Sequence, residues 1–267
     1  MSGRHVEGIL TDCQDGVGVV TISHPGMCNA LSLVMWADLA HAVTVFSEDP
    51  GVGVIVIRGE GADFSSGANI HDLPEDPRVF RDLHLAAENA IAEARKPVLA
   101  AVRGHCVGGG CGIAVACDLR FADGTAVFGI TASRLGIVYP ELPTRRLVHL
   151  LGPGTARRML YGGELFDVAW AQRVGLVDEI TDGDVDAVTM DFARLLLTRS
   201  RSTIAVAKQI VAGGQEPAMI GSRITQDYLE GVEAFRQSRD SRFPSAPDRP
   251  ALERANHRLG PVDALTT

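Results

Sequence analysis

The chain has 267 residues, 46% of them hydrophobic, which is enough for a substantial core in one large domain with an appendage. Asp and Glu number 33 against 25 Lys and Arg, and the formal charge of −8 argues against a nucleic-acid surface while leaving room for a local basic pocket. Apolar runs break well before the ~18 residues of a membrane span and the opening MSGRHVEGIL lacks a signal-peptide apolar region, so a cytoplasmic protein without membrane contact is expected.

Val6 to Leu10 and Val17 to Ser23 flank Asp15-Gly16 and predict a β-hairpin. After the loop HPGMCNALS, Ser32 is a good N-cap for a helix in which Trp36, Leu39, Val43 and Phe46 recur at helical spacing, ending at Asp49-Pro50. Val52 to Arg58 is β-branched and reads as a strand, followed by the Gly- and Ser-rich loop GEGADFSSGANI. Pro74 and Pro77 punctuate a further loop, and residues 78 to 95 read as a helix that stops before Lys96-Pro97.

The stretch from Pro97 to Phe121 organises the rest. It reads as a buried strand (Val98 to Val102), a glycine turn (Gly108, Gly109, Gly110), a short apolar helix (Ile113 to Cys117) and a second strand opening at Asp118. A strand that enters a helix through glycines leaves unpaired N–H groups at the positive end of the helix dipole, with no Cβ to hold a ligand away. Such a turn can hold an anion or a developing oxyanion, although close helix–strand packing would also explain it. The spacing matches neither a dinucleotide fingerprint nor a P-loop, which argues against a nucleotide-binding oxidoreductase.

Ala126 to Gly129 predicts another strand and Thr131 to Leu135 a helical turn. From Pro140 the pattern is mostly helical, at about 144 to 151, 154 to 161, 167 to 173, 184 to 199, 201 to 213 and 216 to 240. In the last of these, Ile220, Ile224, Tyr228, Val232 and Phe235 form one stripe, expected to pack within the subunit or against a neighbour. The five cysteines include no C-x-x-C pair, and Cys111 and Cys117 lie around an apolar helix, so buried thiols are expected rather than a metal site or disulfides. Strand pairs with helices, then a helical second half, predict an α/β core with an α-helical C-terminal region, and a strand–strand–helix recurrence is visible at residues 6 to 47, 52 to 95 and 98 to 117.

Several spaced signatures together resemble the crotonase superfamily, the enoyl-CoA hydratase/isomerase family. They are Asn29-Ala30-Leu31-Ser32, Phe64-Ser65-Ser66-Gly67-Ala68-Asn69-Ile70, Lys96-Pro97-Val98 through Gly108-Gly109-Gly110-Cys111, Cys117-Asp118, Phe128-Gly129 and Leu135-Gly136-Ile137. Ala169 and Gln172 with Val174-Gly175-Leu176-Val177, then Glu230-Gly231 with Ala234-Phe235, continue the set, and the resemblance covers about residues 6 to 243.

The resemblance implies a spiral of ββα units over residues 1–195 and a helical trimerisation region with a loose tail over residues 196–267, in a homotrimer or a dimer of trimers. It implies an acyl-CoA substrate and no permanently bound cofactor, with a thioester enolate held by the backbone N–H groups of Ala68 and Gly109. The CoA adenine and pantetheine would lie near Ala30, Ser66, Ala68 and Ile70.

The chain departs from the family where chemistry is chosen. The two hydratase glutamate positions are Gly112 and Ala132 here, so the groups expected to activate water and to protonate carbon are absent. Related isomerases carry a carboxylate at the position of Pro140, and Glu141, one residue on, is the nearest candidate base; a carboxylate in the first turn of a helix would also be explained by the dipole. An apolar wall from Ile137, Val138 and Leu142 is expected around it. His71 and His105 flank the two loops as ordinary loop histidines, and Tyr139 is expected in the pocket wall. Double-bond isomerisation is therefore expected ahead of hydration, with hydration by other groups or a non-catalytic acyl-CoA binder as alternatives.

Overall fold

Asp15 and Gly16 both take positive φ, 51° and 86°, the geometry of a two-residue hairpin turn that matches strand twist. They fold β1 (Gly8–Gln14) onto β2 (Val17–Ser23). All seven residues of β2 are buried, as in a strand covered on both faces. In this computed structural model, which describes residues 6–214 and 222–243, β2 is followed across the sheet by β3 (Val54–Gly59), β4 (Val98–Val102), β6 (Leu119–Asp123) and β9 (Glu179–Thr181), all parallel. A smaller sheet is built from β5 (His105–Val107), β7 (Val127–Gly129) and β8 (Phe166–Asp167).

Alternate side chains send the strands' apolar groups into two cores. On one face Ile22, Ile55, Ile57, Ala100 and Val102 pack with Trp36, Leu39 and Val43 of α1 (Leu33–Glu48), Ala87 and Ile91 of α2 (Pro77–Ala92), and α3 (Gly109–Ala116). On the other, Val17, Val19, Val54, Val56, Leu99 and Phe121 meet Val185, Met190 and Ala193 of α6 (Val185–Leu197). Full burial of each such side chain is worth about 1.5–3 kcal/mol. Because α6 closes the second face, the core runs through Leu197. The loops after β3 and β4 leave the same edge of the sheet, the carboxyl edge where ligands of parallel sheets bind.

The glycines differ from their expected part. Gly108 alone takes the left-handed turn, at φ 58°, while Gly109 and Gly110 already belong to α3. The helices expected at 144 to 151 and 154 to 161 are the two limbs of α4 (Glu141–Gly162), broken at Gly152 (φ 74°) before Pro153. The short strands β5, β8 and β9 carry too few residues to show a period. Beyond α5 (Val168–Arg173), α7 (Arg201–Val211) and α8 (Ser222–Arg236) form the helical end. Of the expected α8 stripe, Tyr228 and Phe235 are exposed rather than packed within the subunit, at 67% and 86%, and Ile220 lies outside the described residues, as does the tail from residue 244. No described helix is long and apolar enough to cross a membrane.

Candidate active site

Three loops are stitched together at the sheet's carboxyl edge by their own backbones. Leu31 N–H donates to the Gly67 carbonyl (2.7 Å) and Asn69 N–H to the Leu31 carbonyl (2.8 Å). In such a parallel bridge Leu31 uses the groups on either side of Ala68, so the N–H of Ala68 itself points the other way. Ser65 pairs with β5 through Ser65 N–H to His105 (2.8 Å) and Val107 N–H to Ser65 (3.0 Å). Its buried hydroxyl donates to the Asn29 carbonyl (2.8 Å) and accepts from Gly67 N–H (3.0 Å). Asn29, in the left-handed region at φ 54°, ties the first loop to the second by donating to the Glu60 and Asp63 carbonyls.

This stitching brings Gly67 against the start of α3. At φ +92°, a Cβ on Gly67 would lie 2.6 Å from Gly109 N and 2.8 Å from the Val107 carbonyl, so only glycine fits. Among the described residues, neither the Ala68 nor the Gly109 N–H has a hydrogen-bond acceptor. Two free donors on adjoining backbone segments, one at a helix N-terminus, have the chemistry to receive an oxygen that gains negative charge. Asn69 leaves that donor alone: its side-chain oxygen accepts from His71 N–H (3.2 Å) and its amide donates to Asp72 (2.8 Å).

Next to the donors is a wall of polar side chains in an apolar setting. A Cβ on Gly109 would press on the Trp36 ring at 2.9 Å, and a Cβ on Gly112 would overlap Glu88 Oε1 and stand 2.7 Å from the Tyr139 hydroxyl. Glu88, buried on α2, bonds His84 Nε2 one turn earlier (2.7 Å) and lies 3.7 Å from Arg146 Nη1 on α4. His84 stands edge-on to Trp36 with ring centroids 4.9 Å apart. Burial, then the nearby Glu88 carboxylate, push the Tyr139 hydroxyl well above its usual range.

A family model described as enoyl-CoA hydratase/isomerase matches residues 12–241. The chain belongs to the enoyl-CoA hydratase/isomerase family. It is 30% identical over 254 residues to the crotonyl-CoA hydratase of Syntrophomonas wolfei, covering 89% of this chain and 98% of that protein. It is 28% identical over 252 residues to the 2,3-dehydroadipyl-CoA hydratase of Escherichia coli, covering 88% and 98%. A crystal structure of an enoyl-CoA hydratase/isomerase family protein from Hyphomonas neptunium superimposes with a TM-score of 0.81 at 30% identity, covering 89% of this chain and 97% of that one. The α/β architecture described above is thus the crotonase fold, with helices at its C-terminal end.

Within this enoyl-CoA hydratase/isomerase frame, the candidate CoA-contacting residues gather on the first two loops. Ala30 is buried, Ser66 and Ala68 are half-buried, and Ile70 is exposed at the rim. Glu141 is elsewhere in character. It opens α4 with its side chain 74% exposed and accepts from Arg145 Nε at 2.8 Å. The apolar wall expected around it is absent, since Val138 is 88% exposed and Leu142 47%. Helix α4 turns its buried side, including Pro143 and Leu147, to the core and leaves Glu141 on the other side.

His105 faces outward, and both its backbone N–H (2.9 Å) and its Nδ1 (2.7 Å) meet Asp63 Oδ1. Partial burial works against the Asp63 carboxylate, yet the His105 amide and ring, with the Cys28 thiol, hold it below its usual range. Cys28, Asp63 and His105 offer ligand atoms within 4.8 Å of one another, a cluster that the cysteine spacing had not suggested. Cys111 and Cys117 are buried as expected, as is Cys106, whereas Cys13 and Cys28 are exposed, and burial pushes the Cys117 thiol up to about 12. Sequence spacing missed Glu88 and His84 altogether. Their one signal was two ionisable residues at i and i+4 on the buried face of α2, beside Ala87 and Ile91.

Proposed function

We propose that this family member acts on acyl-CoA thioesters, binds CoA near Ala30, Ser66, Ala68 and Ile70, and stabilises a thioester enolate with the N–H groups of Ala68 and Gly109. CoA enters as part of the substrate, with no cofactor held between turnovers. The observation that carries the reading is the pair of acceptor-free N–H groups on segments pressed together at Gly67, where a Cβ would stand 2.6 Å from Gly109 N. One such donor is typically worth about 2.7–4 kcal/mol in the transition state.

The reaction favoured is movement of a double bond from the 3 to the 2 position, in fatty-acid or related acyl-CoA metabolism. Hydration calls for groups that activate water and protonate carbon, whereas isomerisation needs a single base that removes and returns one proton. Gly112 and Ala132 supply neither group. Glu141, the base expected from the sequence, is exposed and paired with Arg145, which weighs against it. The names of the curated relatives favour hydration as the second reading. A cytoplasmic trimer or dimer of trimers fits the exposed Tyr228, Leu229 and Phe235 of α8.

The test is to incubate the protein separately with a 3-enoyl-CoA and a short 2-enoyl-CoA. Formation of conjugated enoyl-CoA from the first should outpace loss of conjugation in the second. Faster loss in the second establishes hydration, and tight binding with neither reaction establishes a non-catalytic binder.

A further inference from the structure

Gly112 follows Gly109 by three residues on α3, so the two share a face and lie about 5–6 Å apart. The space a side chain at 112 would take holds the carboxylate of Glu88, which arrives from α2 rather than from α3. Glycine at 112 is required for this, because any Cβ there would overlap Glu88 Oε1. A carboxylate thus stands about one helical turn from the Gly109 N–H, within reach of the carbons of a thioester whose oxygen rests on that N–H.

Stability alone does not explain this group. Glu88 is 1% exposed, and a buried ion pair is roughly matched or bettered by apolar residues of the same volume. The cluster is also incompletely satisfied: among the described residues, Arg146 Nη1, 3.7 Å from Glu88, has no hydrogen-bond partner, and neither has Nε1 of the buried Trp36. Trp36 carries that N–H next to the ring edge that abuts Gly109. Arg146 is oriented by donating to Asn89 Oδ1 (2.6 Å), and His84 holds the other side of Glu88. The arrangement is a carboxylate hydrogen-bonded by His84, flanked by the Arg146 charge and directed at the first turn of α3.

We infer that Glu88 is the proton-transfer group of this active site and that His84 and Arg146 position it. The inference rests on the enolate reading above. With a 3-enoyl-CoA, Glu88 takes a proton from the α-carbon; the C–H pair becomes part of a dienolate whose oxygen is held by the Ala68 and Gly109 N–H groups. The protonated Glu88 then gives the proton to the γ-carbon, the enolate collapses to the thioester carbonyl, and the double bond stands between the α- and β-carbons. No water, oxidant or metal enters, and Glu88 ends as the carboxylate it began as.

Glu88→Gln preserves shape and removes basicity. Isomerisation of 3-enoyl-CoA should fall by a factor on the order of 10²–10⁴ with affinity for a saturated acyl-CoA retained. Where Glu88→Gln fails to fold, Glu88→Asp decides, because it keeps the charge while withdrawing the carboxylate by one methylene. Turnover equal to wild type in whichever of the two folds overturns the assignment, as does a loss confined to Glu141→Gln. Wild-type protein that binds acyl-CoA and isomerises nothing would instead defeat the underlying reading, so the two failures are distinguishable.

Discussion

The two halves of the site are built by opposite means. Around Ala68 and Gly109 the proposed working groups are backbone amides, held in place by pairing of Leu31 with Gly67 and Asn69 and of Ser65 with β5. Around Gly112 the groups are side chains delivered from α2 and α4, and α3 contributes only the space. A backbone donor is specified by glycines and local pairing, so its place is written where it acts. A side-chain acid or base needs only a carboxylate at one point in space, and any neighbouring element can bring it there.

Replacing Gly67 by Ala should break the backbone half most severely. The new Cβ would stand 2.6 Å from Gly109 N at a φ of +92°, a conformation that costs an L-residue about 1–2 kcal/mol before any clash. Turnover of enoyl-CoA should fall by at least ~10²-fold, the worth of one lost donor. Activity near wild type in folded Gly67→Ala protein would show that the two segments need not touch.

A smaller effect is expected at the outer edge of the same stitching. Asp63 has its carboxyl held below the usual value of 3.8, chiefly by His105 against the opposing effect of burial. Its contribution is therefore fully present above about pH 4 and fades as pH falls through the lowered folded value. Asp63→Ala should cost about 1 kcal/mol at neutral pH, with the difference from wild type shrinking in denaturant titrations as pH falls below the ordinary carboxyl value of 3.8. A gap that widens on acidification would mean that Asp63 is not the linked group.

The same contrast explains what could be read from the chain. Glycines at 67 and 108 to 110, with Asn29 and Ser65, marked the donors and the loops that carry them, and the long helices followed from Ser32, Pro77 and the apolar spacing of Trp36, Leu39 and Val43. The two- and three-residue strands β5, β8 and β9 were not legible, because their existence depends on partners far along the chain. Glu141 stood close in sequence to an expected base position, but the helical phase of α4 puts it on the exposed side. Glu88 lies 24 residues before Gly112 in the sequence and meets it only through the packing of α2 on α3. Gly112 read alone signified a missing carboxylate, whereas in the fold it makes room for one.

The amides of Ala68 and Gly109 are proposed to hold an enolate oxygen. Gly109 stands at the first position of α3, where proline is compatible with the helix yet has no N–H to give. The direct measurement is deuterium uptake at the α-carbon of a saturated acyl-CoA in heavy water, comparing wild type with Gly109→Pro protein shown to fold and to bind the thioester. Uptake by wild type and a loss on the order of 10²–10³-fold in the variant are expected; uptake by Gly109→Pro at the wild-type rate would mean that the Gly109 amide holds no enolate oxygen.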